Sequence, residues 1–151
     1  MRDPVQLLAF GFGSGLSPWA PGTIGSAIAI PVYLPCSGLP LGLYGLFLAV
    51  VALVGVWVCG AASRRLGVHD HPGIVWDEFV GMWIALWAVP ATPLGIGLAF
   101  VAFRCFDIVK PWPIGWLDRH TKGGFGIMVD DVVAGLFACA TVHLLLRLGA
   151  A

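Results

Sequence analysis

The stretch "FVGMWIALWAVPATPLGIGLAFVAF", residues 79–103, decides how this chain folds. It carries no charge and is longer than the roughly 20 apolar residues that cross a bilayer as one helix. Yet "PATP" (90–93) stands in its middle, and two prolines there remove two helix donors and restrict the residues before them. The polar segments on either side choose between a span and a hairpin. Segments 61–78, "AASRRLGVHDHPGIVWDE", and 104–131, "RCFDIVKPWPIGWLDRHTKGGFGIMVDD", hold seven of the eight acids and six of the eight bases. Lys and Arg mark the cytoplasmic side, so Arg64, Arg65, Arg104, Lys110, Arg119 and Lys122 put both segments on one face. Two segments on one face need an even number of crossings between them. The stretch is therefore expected to be a hairpin bent at Pro90–Pro93. Arms of about 11 residues reach near 16 Å, half the hydrocarbon core, and are tolerated where other helices bury them.

The same parity organises the rest. The runs "TIGSAIAIPVYL" (23–34) and "LGLYGLFLAVVALVGVWVCG" (41–60) form a first hairpin across the turn "PCSGLP" (35–40), and "VVAGLFACATVHLLLRLGA" (132–150) crosses alone. The expected fold is all-α: a polytopic membrane helical bundle of four to five membrane-embedded helices, short hairpins included, with no sheet, in a single domain over 1–151. Composition agrees. The chain is 59% hydrophobic and 11% charged, against about 25% charged residues in soluble domains, and its mean hydropathy is +0.93. A net charge of zero gives no basic footprint for nucleic acid. Cys36, Cys59, Cys105 and Cys139 form no C-x-x-C pair and read as small buried hydrophobes rather than ligands or disulfides. The opening "MRDPVQLLAFGFGSG" lacks the long apolar core of a cleavable leader.

Carboxylates fall into three groups at the ends of apolar runs: Asp77–Glu78, Asp107 and Asp130–Asp131. Acids at helix N-termini serve as caps, and each pair alone could be that. Three such groups on one face would repel one another unless a cation or bases neutralised them. Oxygen-rich clusters of this kind suit Mg²⁺, held by one or two carboxylates plus substrate phosphates. Arg104, Lys110, Arg119 and Lys122 share a segment with Asp107 and Asp118, and such bases bind phosphate or anchor to anionic headgroups. Lys110 stands three residues after Asp107, on the same face if that stretch is helical. The Gly-rich "GFGSGLSPWAPGT" (11–23), with Ser17 and with Thr23 near a cap position, could offer backbone N–H groups to an anion or simply turn a corner. His69 and His71 flank Asp70 and could bind metal, though H-D-H before Pro-Gly reads more readily as a solvated turn, and His143 reads as a neutral, satisfied histidine rather than a relay. Together the acids, bases and Gly-rich loop point to a metal-dependent site acting on a phosphate, with apolar helices around the substrate's tail.

Four motifs in order, "GFGSGLSPWAPGTIGS", "GIVWDEFVGMW", "FRCFDIVKPWPIGWLDR" and "GGFGIMVDDVVAG", resemble the phosphatidylglycerophosphatase A family from about residue 10 to residue 137. The resemblance implies an all-helical enzyme of the bacterial inner membrane. It would hydrolyse phosphatidylglycerophosphate to phosphatidylglycerol and inorganic phosphate with Mg²⁺, its site loops on the cytoplasmic face. The family's acidic positions fall on Asp77, Glu78, Asp107, Asp130 and Asp131, and its basic ones on Arg104, Lys110 and Arg119. On this reading Mg²⁺ is held by Asp77 or Glu78 with Asp130 and Asp131, and Lys110 and Arg104 meet the phosphoryl oxygens. Asp107 activates water, with an aspartyl-phosphate route through a carboxylate such as Asp131 left open. The rival class is a small ion-coupled transporter, since intramembrane carboxylates and His143 also suit a proton path. Against it, the acids gather at one face and no pair of hydrophobic halves repeats.

Overall fold

The computed structural model describes residues 3–68 and 71–149; the His69 and Asp70 of the H-D-H segment lie outside them. Among the described residues there is no strand, and the fold is all-helical. Helix α1 (Pro4–Ala9) is capped by Asp3, whose side chain accepts from the Val5 N–H. A 3-10 turn over Gly11–Leu16 leads into α2 (Pro21–Tyr33). Next is α3 (Leu41–Leu66), closed by Gly67 in the left-handed conformation at φ 69°, with Arg64 and Arg65 in its last turn. Both features suit a helix C-terminus. Then come α4 (Trp76–Ala85), α5 (Pro93–Val109), α6 (Ile114–His120) and α7 (Gly123–Gly149).

The decisive stretch is broken into two helices. α4 ends at Ala85, and α5 restarts at Pro93 behind Thr92, whose hydroxyl accepts from the Gly95 N–H at 3.1 Å. The chain reverses between them, so Phe103 on α5 lies over Gly81 on α4. The start of α4 and the end of α5 thereby share one end of the molecule.

Two helices, α3 and α7, are long and apolar enough to cross a membrane, and only 22% of the most apolar 18-residue stretch of each is buried. A core helix of a soluble protein would be mostly buried. Here Leu46, Leu53 and Trp57 on α3 and Leu144 and Leu148 on α7 are bare, which associates the chain with a membrane. α5, with 17 residues, reaches about 25 Å, and α2 and α4 are shorter still.

α7 is the central post, packing on α3, α4, α5 and α6. Small residues permit it. A Cβ on Gly124 would lie 1.8 Å from the Val56 carbonyl of α3, and one on Gly135 would lie 2.4 Å from the Gly81 carbonyl of α4. Close backbone approach of this kind is how membrane helices associate without a hydrophobic driving force between them. Beside this seam, Trp76 stacks on Phe79 along α4 and Trp83 meets Phe79 edge-on. The Trp83 indole donates to Ala29 of α2 at 2.9 Å, and Tyr44 of α3 donates to the Trp83 carbonyl at 2.8 Å.

Three local expectations are corrected. Asp130 and Asp131 are not at a helix entrance: α7 begins at Gly123, two turns earlier, so neither caps it. Thr23 is inside α2, whose cap position is Ala20. Lys110 is not on a helical face with Asp107, because α5 stops at Val109 and Lys110 turns left-handed at φ 47°.

Candidate active site

The reversal at 86–92 and the early start of α7 bring four chain segments around one cavity of about 360 Å³. α4 supplies Asp77 and Glu78, α5 supplies Arg104 and Asp107, and α7 supplies Asp130 and Asp131. Lys110 and Asp118 come from the turn after α5 and from α6, while Ala20, Pro21 and Gly22 form the wall at the start of α2. Six carboxylates thus face two bases.

Asp77, Asp130 and Asp131 are 8%, 6% and 3% exposed, so these charges sit out of water, where each needs a partner. Some have one. Lys110 Nζ donates to Asp130 at 2.7 Å and to Asp118 at 2.8 Å. Burial alone would lower the Lys110 pKa, but these two carboxylates outweigh it and hold the ammonium well above the ordinary lysine range. Arg104 pairs with Asp107 at 2.5 Å, one turn along α5. That pairing matters because an acid in the last turn of a helix meets the negative end of its dipole.

Other buried polar atoms have none. Asp77 Oδ1, Glu78 Oε2 and Arg104 Nε are buried with no hydrogen-bond partner. Burial, reinforced by Glu78 and Asp131, pushes the Asp77 carboxyl well above the usual range. Burial also raises Glu78, to about 7. Asp77, Glu78 and Asp131 each offer one oxygen within 4.8 Å of the others'. Three oxygens that close, two of them from carboxylates with an unpartnered buried atom, fit a hard divalent cation.

The remaining candidates stand apart. Arg119 is exposed on α6, its Nε–H donating to the Gly115 carbonyl at 2.8 Å. Ser17 folds onto its own turn, donating to the Trp19 carbonyl at 2.9 Å. Neither these two nor Thr23 lines the cavity. The Gly-rich segment mostly packs rather than cradles: Gly13 and Gly15 donate to the Phe10 carbonyl, and a Cβ on Gly15 would lie 2.0 Å from the Gly73 carbonyl. His71 accepts the Gly73 N–H within its own turn. His143 lies 3.0 Å from the Trp87 carbonyl, a satisfied histidine at the far loop. None of the four cysteines is in a disulfide.

The sequence of residues 7–146 matches the family described as phosphatidylglycerophosphatase A. The chain belongs to that family. It is 49% identical over 144 residues to phosphatidylglycerophosphatase A of Escherichia coli strain K12, covering 95% of this chain and 84% of that protein. Its identity to the Haemophilus influenzae phosphatidylglycerophosphatase A is 46% over 144 residues, or 94% of this chain and 88% of that protein. No solved structure matches it. Membership makes the chain a phosphatase.

One residue at this cavity, Ser26, escaped the sequence reading, and so did the role of a second, Asp118, as a partner of Lys110. Ser26 is fully buried, donates to the Gly22 carbonyl at 2.8 Å and accepts from Arg104 Nη1 at 3.4 Å. Its only signal is its place one turn after Gly22. Asp118 holds Lys110 from α6, eight residues along the chain, a pairing visible only once the chain is seen to double back after α5.

Proposed function

We propose that the chain hydrolyses phosphatidylglycerophosphate to phosphatidylglycerol and inorganic phosphate, with Mg²⁺ bound by Asp77, Glu78 and Asp131. The observation that carries this is the buried, unpartnered pair Asp77 Oδ1 and Glu78 Oε2 beside Asp131, in a chain 49% and 46% identical to two proteins named phosphatidylglycerophosphatase A. Asp130, read from the sequence as a metal ligand, serves instead through Lys110. When bound, Mg²⁺ supplies Lewis acidity toward a phosphoryl oxygen.

The chain's own residues do the rest. Arg104 and Lys110 face the phosphate's equatorial oxygens, offsetting charge that spreads over them in the transition state. Ser26 and Asp107 fix the Arg104 guanidinium, and Asp118 and Asp130 fix the Lys110 ammonium. Asp107, at the cavity wall, takes the proton of the attacking water as the phosphorus–ester oxygen bond breaks, and the departing glycerol oxygen recovers a proton from solvent. On this reading the protein works in the bacterial inner membrane, with the basic segments and the cavity at the cytoplasmic face and the shorter helices α2, α4 and α5 embedded beside α3 and α7. The reaction belongs to phosphatidylglycerol synthesis.

The test is phosphate release from a panel of lipid phosphates by the purified protein in detergent, with Mg²⁺ or with EDTA. Release from phosphatidylglycerophosphate that EDTA abolishes is expected. No release from any lipid phosphate would overturn the reading and return the carboxylates to an ion path.

A further inference from the structure

Two of the segments around the cavity turn one side to it and bare apolar surface outward. Asp107 and Lys110 line the cavity, yet Ile108 and Val109 between them are 67% and 73% exposed. Trp112, two residues on, is 82% exposed. On the other segment Ala20 and Gly22 line the cavity, and Trp19 beside them is 83% exposed. These two indoles are the most exposed large hydrophobic side chains among the described residues. Neither sits on a frayed end. Ser17 both donates to the Trp19 carbonyl and accepts the Trp19 N–H, at 2.9 and 3.3 Å. Trp112 stands between Pro111 and Pro113, whose rings fix the backbone on either side.

In water such surface is costly. An indole, with an apolar body and one polar N–H, is favoured where lipid meets water. The same end of the molecule carries exposed Arg119 and Lys122, and bases at that depth are attracted to anionic headgroups. An anionic lipid surface covers the rings and answers these bases at once, and burial under a protein partner is told apart from it by the quenching below.

We propose that Trp19 and Trp112 seat the rim of the cavity in the headgroup layer of an anionic bilayer, so that a lipid-borne phosphate reaches Arg104 and Lys110 sideways, without leaving the membrane. This rests on the lipid phosphatase reading above. The exposed Ile108 and Val109 continue the apolar rim toward the bilayer core, where the substrate's glycerol backbone would lie.

The test reconstitutes wild-type protein and the Trp19→Phe/Trp112→Phe variant in vesicles of phosphatidylcholine and phosphatidylglycerol. The difference in tryptophan emission between them is expected to be quenched by lipids brominated high on the acyl chain and only weakly by aqueous iodide. Quenching by iodide alone would put the rings in water, and quenching by neither would put them under protein; either overturns the proposal. A second arm uses Trp19→Ala/Trp112→Ala. The KM for the long-chain lipid phosphate, in surface mole fraction, should rise several-fold, while hydrolysis of a dihexanoyl analogue below its micelle concentration stays unchanged. Equal loss on both substrates would also overturn it. If wild-type protein hydrolyses neither substrate, the phosphatase reading fails while the quenching result still decides where the rings lie.

Discussion

Lys110 Nζ stands 2.7 Å from Asp130 Oδ2, and this contact separates two carboxylates that are neighbours in sequence. Successive residues on a helix point about 100° apart, so Asp131 turns away from Lys110 and joins Asp77 and Glu78 instead. One turn of α7 thus serves two cations of different chemistry: an ammonium on one side and, on our reading, a divalent metal ion on the other.

That division predicts different defects for the two aspartates. Asp131→Asn should weaken Mg²⁺ binding and cut phosphate release by roughly 100-fold, since it removes a ligand oxygen. Asp130→Asn should lower the rate by about tenfold through a loosened Lys110, with Mg²⁺ affinity nearly unchanged. Calorimetric titration of Mg²⁺ beside initial rates separates the two. Equal loss of Mg²⁺ affinity in both variants would show that the pair acts together.

Much of this site was legible because membrane chains leave few places for charge. The hairpin over 79–103 followed from two prolines and the sign of the flanking segments, and α4 and α5 are the result. The five acids chosen from their positions at run ends all line one cavity. What stayed hidden depended on tertiary approach. Two glycines at 123 and 124 look like a loop, because glycine is a poor helix former, but Gly124 is what lets α7 lie against Val56 of α3. The helix therefore starts before Asp130 rather than at it. Lys110 could not be paired with Asp118 and Asp130 without the left-handed turn that ends α5.

Removing the cation should cost stability as well as activity. Buried carboxylates at Asp77 and Asp131 repel one another when bare, so the folded state should bind Mg²⁺ and gain from it. A ligand at 100 times its dissociation constant adds about 2.7 kcal/mol to folding. A clear fall in thermal midpoint on adding EDTA, followed by tryptophan fluorescence in detergent, is expected for wild-type protein. Asp131→Asn should show little response. An equal EDTA effect in that variant would place the stabilising ion elsewhere.

Arg104→Lys preserves charge but not shape. The guanidinium reaches Asp107 and, at 3.4 Å, Ser26, and a lysine ammonium cannot offer the same planar fork. The rate should fall by roughly 10- to 100-fold, and more in kcat than in KM, because the lost contacts concern developing charge. A change confined to KM would assign Arg104 to ground-state binding alone.

Gly22→Ala isolates the wall opposite α4. A Cβ there would lie 2.2 Å from Glu78 Oε1 and 3.4 Å from Arg104 Nη1, so the Glu78 carboxylate must move. The helix itself should tolerate the change, since alanine is favoured over glycine inside a helix by about 1 kcal/mol. An unchanged or slightly higher thermal midpoint with activity lowered about tenfold is expected. Full activity would mean that Glu78 has room to shift without consequence and would count against it as a metal ligand.

The seam between α3 and α7 gives a test of the scaffold rather than of the chemistry. A Cβ on Gly124 would lie 1.8 Å from the Val56 carbonyl and 2.7 Å from the Gly60 nitrogen, both backbone atoms that cannot swing aside. Gly124→Ala must therefore part the helices, and overpacking of this kind costs about 1–3 kcal/mol. Because Asp130 and Asp131 ride on the same helix two turns later, the displacement should reach the cavity and lower activity in the fraction that still folds. Gly97 on α5 meets nothing within 4 Å, so Gly97→Ala carries the same chemical change without the contact. It should leave both thermal midpoint and rate as they are, or raise the midpoint slightly through helix propensity. If the two variants behave alike in a thermal scan and a phosphate-release assay, the α3–α7 approach is not what sets the position of the carboxylates.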